Sequence, residues 1–267
     1  SLSCTDEFDF IGTPYERQLN YHGAHDIGHA MQDYMLVGCS SFAAWDKYSA
    51  DSSLIIGRNF DFFMGDNFAQ NKLVSFYAPS EGYKFVSVSW LGMIGVLSGM
   101  NEEGLTVTIN AAKSSMPTSA KTPISLLTRE ILQYASTIEE AYAIAQKRKT
   151  FVSESILVGS AKDGRAAIIE KSPKDMGLFE SFDGKVICTN HFQSDEFKDD
   201  KRNIENIETT DTYYRYQRVE ELLQNEEPID EKKAAYILRN RMGLNNAELG
   251  LSNEMAINQY IAHHSVI

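Results

Sequence analysis

Apolar residues follow two different periods along this chain, one of about 3.6 residues and one of two, and these periods predict helices and strands. Apolar positions at helical spacing after Pro14 predict a helix over residues 14–36, because proline suits the first turn of a helix. Two apolar runs between residues 37 and 63 flank a polar segment and predict a β-hairpin. Further strands are predicted at 84–97, 105–110, 155–158, 166–170 and 186–189, and further helices at 123–135, 137–149, 211–224 and 230–241.

The order of these elements favours an α+β fold. Strands come first, a pair of helices follows, and then strands and helices appear once more. This order fits antiparallel sheets that are covered by helices. Two stacked sheets between two helix layers accommodate this number of strands best. The sequence therefore predicts a four-layer αββα sandwich of two antiparallel sheets.

Composition narrows the range of functions. The chain has 267 residues, 43% of them apolar, and no linker or repeat interrupts it, which favours one large domain. Its net charge of -12 would repel a phosphate backbone, so nucleic acid is not an expected partner. No run reaches the roughly 18 apolar residues of a membrane span. Neither a cofactor nor a metal is expected, the cellular compartment stays open, and the chain is compatible with a homo-oligomer.

The dipeptide Gly38-Cys39 contains the candidate nucleophile. The three cysteines, Cys4, Cys39 and Cys188, match neither a disulfide framework nor a CxxC metal pattern. A thiol with a pKa of about 8.5 needs a nearby cation or base to form thiolate at neutral pH. Arg58 is a candidate cation, and the α-amine of Cys39 would be a candidate base if Cys39 became a chain terminus. The alternative is that the dipeptide consists of two small residues packed in a sheet.

Five other polar residues are candidates for the same site. Arg58 and Asp61 fall on opposite faces of one predicted strand, so this strand must bulge or end between them if both are to reach one sulfur. Asn110 and Asn190 each end a strand, where a side-chain amide can donate to a developing oxyanion. Arg215 lies near the apolar face of a helix and needs a partner there. The alternatives are structural ion pairs for the arginines and turn formation for the asparagines.

Five ordered segments together resemble the acyl-coenzyme A:6-aminopenicillanate acyltransferase family and, more distantly, choloylglycine hydrolases and acid-ceramidase-like amidases. The resemblance covers about residues 37–267, and the five segments together are more specific than any one of them. The segments are Gly38-Cys39-Ser40-Ser41-Phe42, Gly57-Arg58-Asn59-Phe60-Asp61-Phe62, Gly99-Met100-Asn101-Glu102-Glu103-Gly104-Leu105 to Asn110, Cys188-Thr189-Asn190-His191-Phe192 and Tyr214-Arg215-Tyr216.

This resemblance implies the fold of N-terminal-nucleophile hydrolases and an enzyme that cleaves its own chain between Gly38 and Cys39. Residues 1–38 would form a leader or propeptide-like helical segment, and residues 39–267 the hydrolase domain, truncated at its C-terminus relative to the family. The implied reaction cleaves or transfers an acyl group at a linear non-peptide C–N amide bond through a thioester on Cys39. The implied partner is a small N-acyl amide. The acyl and amine specificity, and the choice between hydrolysis and transfer, stay open.

The resemblance also implies a role for each candidate residue. The freed α-amine of the cysteine would be the base. Arg58 would favour the thiolate, and Asp61 would hold the α-amine. Asn110 and Asn190 would bind the oxyanion and the substrate amide, and Arg215 would brace the site.

Two other functions stay open. His25 and His29 have the i, i+4 spacing of a zinc-binding helix, so a zinc hydrolase is the rival enzyme. Against it, Asp26 stands where such helices carry a glutamate, and the sequence shows no third ligand. The other alternative is an inactive, uncleaved relative that serves as a binding module.

Overall fold

The computed structural model describes residues 6–30, 38–63, 70, 72–115, 119 and 121–267. The α-helices are α1 (Pro14–Ala30), α2 (Ile124–Tyr134), α3 (Ile138–Lys147), α4 (Lys201–Thr209), α5 (Thr212–Glu226) and α6 (Glu231–Leu238). The strands are β1 (Ser40–Ala44), β2 (Ile55–Asp61), β3 (Lys72–Tyr77), β4 (Phe85–Trp90), β5 (Ser98–Asn101), β6 (Leu105–Ala111), β7 (Glu154–Ser160), β8 (Arg165–Lys171), β9 (Met176–Glu180), β10 (Lys185–Cys188) and β11 (Ala262–Val266). None of the described helices combines the length and the apolar character that crossing a bilayer requires.

The smaller sheet contains four antiparallel strands in the order β10-β1-β2-β11. Its hairpin of β1 and β2 is the one predicted for residues 37–63, and it places Ser41 opposite Arg58. Strand β2 ends at Asp61, and the irregular step in the ladder lies on the partner strand β11. β2 therefore runs through both Arg58 and Asp61 without the predicted end or bulge between them, and the irregularity opposite Phe60 and Asp61 belongs to β11.

The larger sheet contains seven antiparallel strands, which follow one another in chain order from β3 to β9. Strands β3, β5 and β9 were not predicted. Strands β3 and β9 are the two edges of this sheet, where side chains are more exposed and the apolar pattern is weak. The predicted strand 84–97 is wrong beyond Trp90, because the chain turns there through Gly92, whose φ is 91°.

Helices cover the outer face of each sheet. Helices α2 and α3 pack on the larger sheet, and α5 and α6 pack on the smaller one. Between the sheets, apolar residues of β1 and β10 form one buried cluster with residues of β7 and β8. The predicted αββα sandwich is confirmed. Helix α4, which was not predicted, lies immediately before α5.

Helix α1, within the predicted leader segment, is held to the rest of the chain by buried polar contacts. The Nε2 atom of His22 accepts the backbone N–H groups of Ile94 at 3.1 Å and Gly95 at 3.0 Å. The carboxylate of Asp26 accepts the backbone N–H of Ile124 at 3.0 Å, where α2 begins. These contacts dock α1 onto the loop after β4 and onto the N-terminus of α2. The division into a leader and a hydrolase domain stays a prediction.

Replacing His22 with alanine is expected to lower the free energy of unfolding by about 1–3 kcal/mol, because two buried N–H groups lose their acceptor. Burial lowers the pKa of His22, so the folded chain holds the neutral ring. The contribution is therefore present above pH about 6.5 and decreases as the pH falls below it. Chemical unfolding of the uncleaved chain measures the loss. The exposed Asn20 on the same helix is the control, and an equal loss in Asn20→Ala contradicts the prediction.

Candidate active site

Cys39 lies immediately before β1 and is fully buried. Its Sγ receives a contact from Arg58 Nη2 at 3.8 Å and lies 3.9 Å from the backbone oxygen of Asp61. Burial raises the pKa of the Cys39 thiol, and the Arg58 guanidinium offsets only part of this rise. In the continuous chain the sulfur is therefore held as a thiol beside a cation. The role of Arg58 in favouring the thiolate of the cleaved enzyme stays a prediction.

Arg58 is held by both sheets. It is fully buried on β2, and its Nη1 donates to the backbone oxygen of Leu97 at 3.2 Å and to the hydroxyl of Ser98. Its Nη2 donates to the backbone oxygen of Ile109 as well as to Cys39. These bonds provide partners for both terminal nitrogens of a buried cation, which would otherwise be unstable, and they fix its position beside the sulfur.

Asp61 has a buried carboxyl group at the end of β2. Neither of its carboxylate oxygens has a hydrogen-bond partner among the residues that the structure describes. Burial raises the pKa of Asp61 to about 8, against the opposing effect of the Arg215 and Arg58 guanidinium groups. Its backbone oxygen accepts the N–H of Gly38 at 3.3 Å, and its carboxylate is close enough to Cys39 to raise the pKa of the thiol, so Asp61 lies beside the Gly38-Cys39 segment.

Arg215, on α5, binds the backbone on both sides of the same peptide bond. Its Nη1 donates to the carbonyl oxygens of Gly38 and Cys39, each at 2.7 Å. Its Nη2 donates to Oδ1 of Asn190 at 2.9 Å. The buried face of α5 thus brings a guanidinium group onto a chain segment 177 residues away.

Each of the two asparagines donates one amide N–H to a backbone oxygen. Nδ2 of Asn110 donates to the backbone oxygen of Cys188 at 2.9 Å, and Nδ2 of Asn190 donates to that of Ala111 at 2.8 Å. Asn110 also accepts the hydroxyl of Ser41 at 2.9 Å. The structure therefore brings Asn190 to Arg215, but it does not place either amide N–H on the sulfur of the cysteine.

Two polar residues near the site were not predicted. His264 Nε2 lies 2.8 Å from the hydroxyl of Ser98, the same hydroxyl that binds Arg58. Burial lowers the pKa of His264 well below its usual range, so this ring is neutral. Gln259 donates to the carbonyl oxygen of Gly38 at 3.4 Å. Nothing in the sequence pattern indicates that either residue approaches a segment more than 160 residues away.

The alternative of a zinc site has little support in the described part of the chain. There, no group of three or more histidine, cysteine, aspartate or glutamate side chains is placed to hold a metal ion. His22 already accepts two backbone N–H groups, and Nδ1 of His25 lies 3.2 Å from the carboxylate of Asp26. The side chain of His29 lies outside the described residues, so the His25 and His29 pair is not tested.

Sequence comparison relates most of the chain to one family. A sequence model of the acyl-coenzyme A:6-aminopenicillanic acid acyl-transferase family matches residues 48–246. The matched range begins after Cys39. It includes the other five candidate residues, which are Arg58, Asp61, Asn110, Asn190 and Arg215.

Two curated relatives are longer proteins. An uncharacterized protein of Archaeoglobus fulgidus is 30% identical over 148 residues, which cover 54% of this chain and 24% of that protein. Protein dcd1B of Dictyostelium discoideum is 25% identical over 175 residues, which cover 64% of this chain and 34% of that protein. The chain thus spans about a quarter to a third of the length of these relatives.

Solved structures share the fold. The N-acylethanolamine-hydrolyzing acid amidase ortholog of Caenorhabditis elegans aligns with a TM-score of 0.57 at 18% identity, over 75% of this chain and 85% of that one. A cysteine-to-alanine mutant of the conjugated bile acid hydrolase from Clostridium perfringens aligns with a TM-score of 0.50 at 14% identity, over 75% and 78% of the two chains. At these identities the similarity establishes the architecture.

Proposed function

Because the chain belongs to the acyl-coenzyme A:6-aminopenicillanic acid acyl-transferase family, we propose that it is a cysteine hydrolase or acyltransferase that matures by cleavage between Gly38 and Cys39. The observation that carries this proposal is the set of groups around that peptide bond. A thiol, two buried guanidinium groups and an unpartnered buried carboxyl group lie around one Gly-Cys linkage. A purely structural cysteine would not need this arrangement.

Maturation requires one nucleophilic displacement and one water molecule. The Cys39 sulfur attacks the carbonyl carbon of Gly38, and the C–N bond breaks as the thiol proton passes to the leaving nitrogen. The product is a thioester between Gly38 and the Cys39 sulfur. Water then attacks this thioester, the C–S bond breaks, and the chain ends are a Gly38 carboxylate and a Cys39 with a free amine and thiol.

The same residues support the acyl-transfer reaction after cleavage. The new α-amine of Cys39 is a base within reach of its own sulfur. Neither carboxylate oxygen of Asp61 has a partner among the described residues, so Asp61 would bind the α-ammonium form and hold this group in place. Arg58 stabilises the thiolate that attacks the substrate carbonyl, because it donates to the sulfur and remains fixed by both sheets.

We propose a small linear N-acyl amide as the substrate. Cys39 belongs to one buried cluster with Phe60, Phe62 and Trp90, and these rings provide an apolar surface for an acyl chain. The ring of His25, on α1, packs on Phe62 with the ring centres 5.6 Å apart. Displacement of α1 would therefore uncover the aromatic surface. The two solved proteins of this fold are named for hydrolysis of N-acylethanolamines and of conjugated bile acids, which fits this class of substrate.

The proposal predicts a covalent acyl-enzyme. Incubation with a series of N-acyl amides, followed by intact-mass measurement, is expected to show the acyl mass on the fragment that begins at Cys39. Added free amines should shorten the lifetime of this species if the enzyme transfers the acyl group, and should leave it unchanged if water is the acceptor. Turnover that a chelator abolishes, with no acyl adduct at any substrate concentration, would instead favour the zinc hydrolase.

A further inference from the structure

Gln259 lies against the peptide bond that the proposed function cleaves. Its side chain is buried, and its Nε2 donates to the carbonyl oxygen of Gly38 at 3.4 Å and to that of Glu254 at 3.0 Å. Nη1 of Arg215 donates to the same Gly38 oxygen at 2.7 Å. Two N–H donors from different segments thus converge on one carbonyl oxygen. This is the arrangement that stabilises negative charge on the oxygen of a tetrahedral intermediate.

The absence of a side chain at Gly38 makes room for this amide. Gly38 is not one of the described residues with positive φ. A Cβ atom at this position would instead collide with the side-chain amide of Gln259. Glycine before the cysteine is therefore required for the close approach of a donor, and its conformational freedom is not used.

We propose that Gln259 is a catalytic residue of self-processing, and this inference rests on the proposed function. As the Cys39 sulfur bonds to the carbonyl carbon of Gly38, the π electrons of the C=O bond move to the oxygen. Gln259 and Arg215 donate to this oxyanion until the C–N bond breaks and the carbonyl re-forms. Gly38 leaves with the upstream fragment, so Gln259 has no such partner in later turnovers. The residue acts on the chain's own peptide bond.

A cavity of about 250 Å³ borders the same side chain. Its lining includes Gln259, Asn253, Asn258 and Tyr260. The side chain of Gln259 thus borders this cavity and also contacts the Gly38 carbonyl. The cavity also supplies a matched control, since Asn258 lines it but donates to the backbone oxygen of Arg239 at 3.4 Å instead.

The test measures the first-order rate of processing in the full chain, by intact mass from the start of refolding. The Gln259→Ala variant is expected to process at least about 10-fold more slowly than the unchanged chain, because one oxyanion donor is lost. Asn258→Ala should process at the unchanged rate. Asn258→Ala should also turn over an N-acyl substrate with an unchanged kcat/KM.

Two further variants separate chemistry from folding. Gln259→Glu keeps the shape of the side chain but loses the donor when ionised, so its rate relative to the unchanged chain should recover as the pH falls toward about 4. Gly38→Ala should slow processing, and it should add little to the effect of Gln259→Ala, because both remove the same contact.

Several results would overturn the inference. They are an unchanged processing rate in Gln259→Ala, an equal loss in Asn258→Ala, or a Gln259→Glu variant that does not recover in acid. A chain that stays uncleaved with all its native residues refutes the proposed function itself, and the role of Gln259 falls with it. If the native chain and the Gln259→Ala variant are processed at the same rate, the role of Gln259 is refuted and the proposed function is not.

Discussion

The Cys39→Ala variant is expected to remain one uncleaved chain and to form no acyl-enzyme. Alanine has no nucleophile to attack the Gly38 carbonyl, and neither Arg58 nor Asp61 can replace the sulfur, because a guanidinium group and a protonated carboxyl group are poor nucleophiles. Intact mass after prolonged incubation should give only the full-length chain. The unchanged protein should give a fragment that begins at Cys39.

Cys188 provides the matched control for this experiment. Its sulfur is also fully buried, and burial raises the pKa of its thiol well above the usual value. It differs from Cys39 in its contact, since its Sγ donates to the backbone oxygen of Thr189 at 3.8 Å. Cys188→Ala should therefore be processed and acylated normally. Cleavage of Cys39→Ala at the same bond, or a loss of processing in both variants, would rule out Cys39 as the nucleophile.

Patterns of apolar residues were sufficient to predict the architecture, because most of its elements bury one regular face. The hairpin of β1 and β2, the helices on both outer faces and the central strands of the larger sheet follow from such patterns. Helix α3 also begins with a local cap, since the hydroxyl of Thr137 accepts the N–H of Glu140 at 3.2 Å. In these segments the apolar period and the local capping residues indicate the same secondary structure.

Elements whose buried face is polar or irregular could not be predicted in this way. Helix α4 buries Asn203 and Asn206, whose amides donate to the backbone oxygens of Phe192 and Asn190. A helix that is docked by asparagines has no apolar stripe. Strand β3 places Val74 and Phe76 largely in solvent, so its apolar residues do not alternate with polar ones as those of a half-buried strand do.

The candidate site shows a similar limit. Hairpin register brings Arg58 near Cys39, and this proximity follows from local pattern and turn position. The contact of Arg215 with the Gly38 carbonyl, and that of Gln259 with the same oxygen, join segments 177 and 221 residues apart. No periodicity encodes such a contact. The resemblance to a family pointed to Arg215, whereas nothing in the sequence pointed to Gln259.

The Asp61→Asn substitution is expected to stabilise the uncleaved chain and to disable the enzyme. The buried carboxyl of Asp61 has no donor among the described residues, and burial raises its pKa to about 8. A neutral amide removes the cost of ionising this group. It also removes the carboxylate that would hold the new α-ammonium of Cys39, so acyl transfer should fall by at least about 100-fold. The carboxylate that the reaction needs at this position therefore lowers the stability of the uncleaved chain.

The pH dependence of stability isolates this effect in the uncleavable Cys39→Ala background. An unfolded aspartate has a pKa of about 3.9, whereas burial raises the pKa of the folded Asp61 to about 8. Its contribution to stability is therefore fully present below pH 4 and is lost as the pH rises to about 8. Asparagine does not titrate, so Cys39→Ala with Asp61→Asn should not show this loss.

Urea unfolding of the two chains at several pH values measures the difference. The Asp61→Asn chain should become more stable than its parent as the pH rises. The difference between their free energies of unfolding should grow by several kcal/mol between pH 4 and pH 8. The buried histidines are the same in the two chains, so they do not contribute to this difference. The exposed Asp183 is the control. Lys47 lowers the pKa of this carboxylate, so Asp183→Asn should cause only a small change of the opposite sign. If this difference stays constant with pH, Asp61 is already paired in the precursor. Its carboxylate would then not be available to accept the α-ammonium of Cys39.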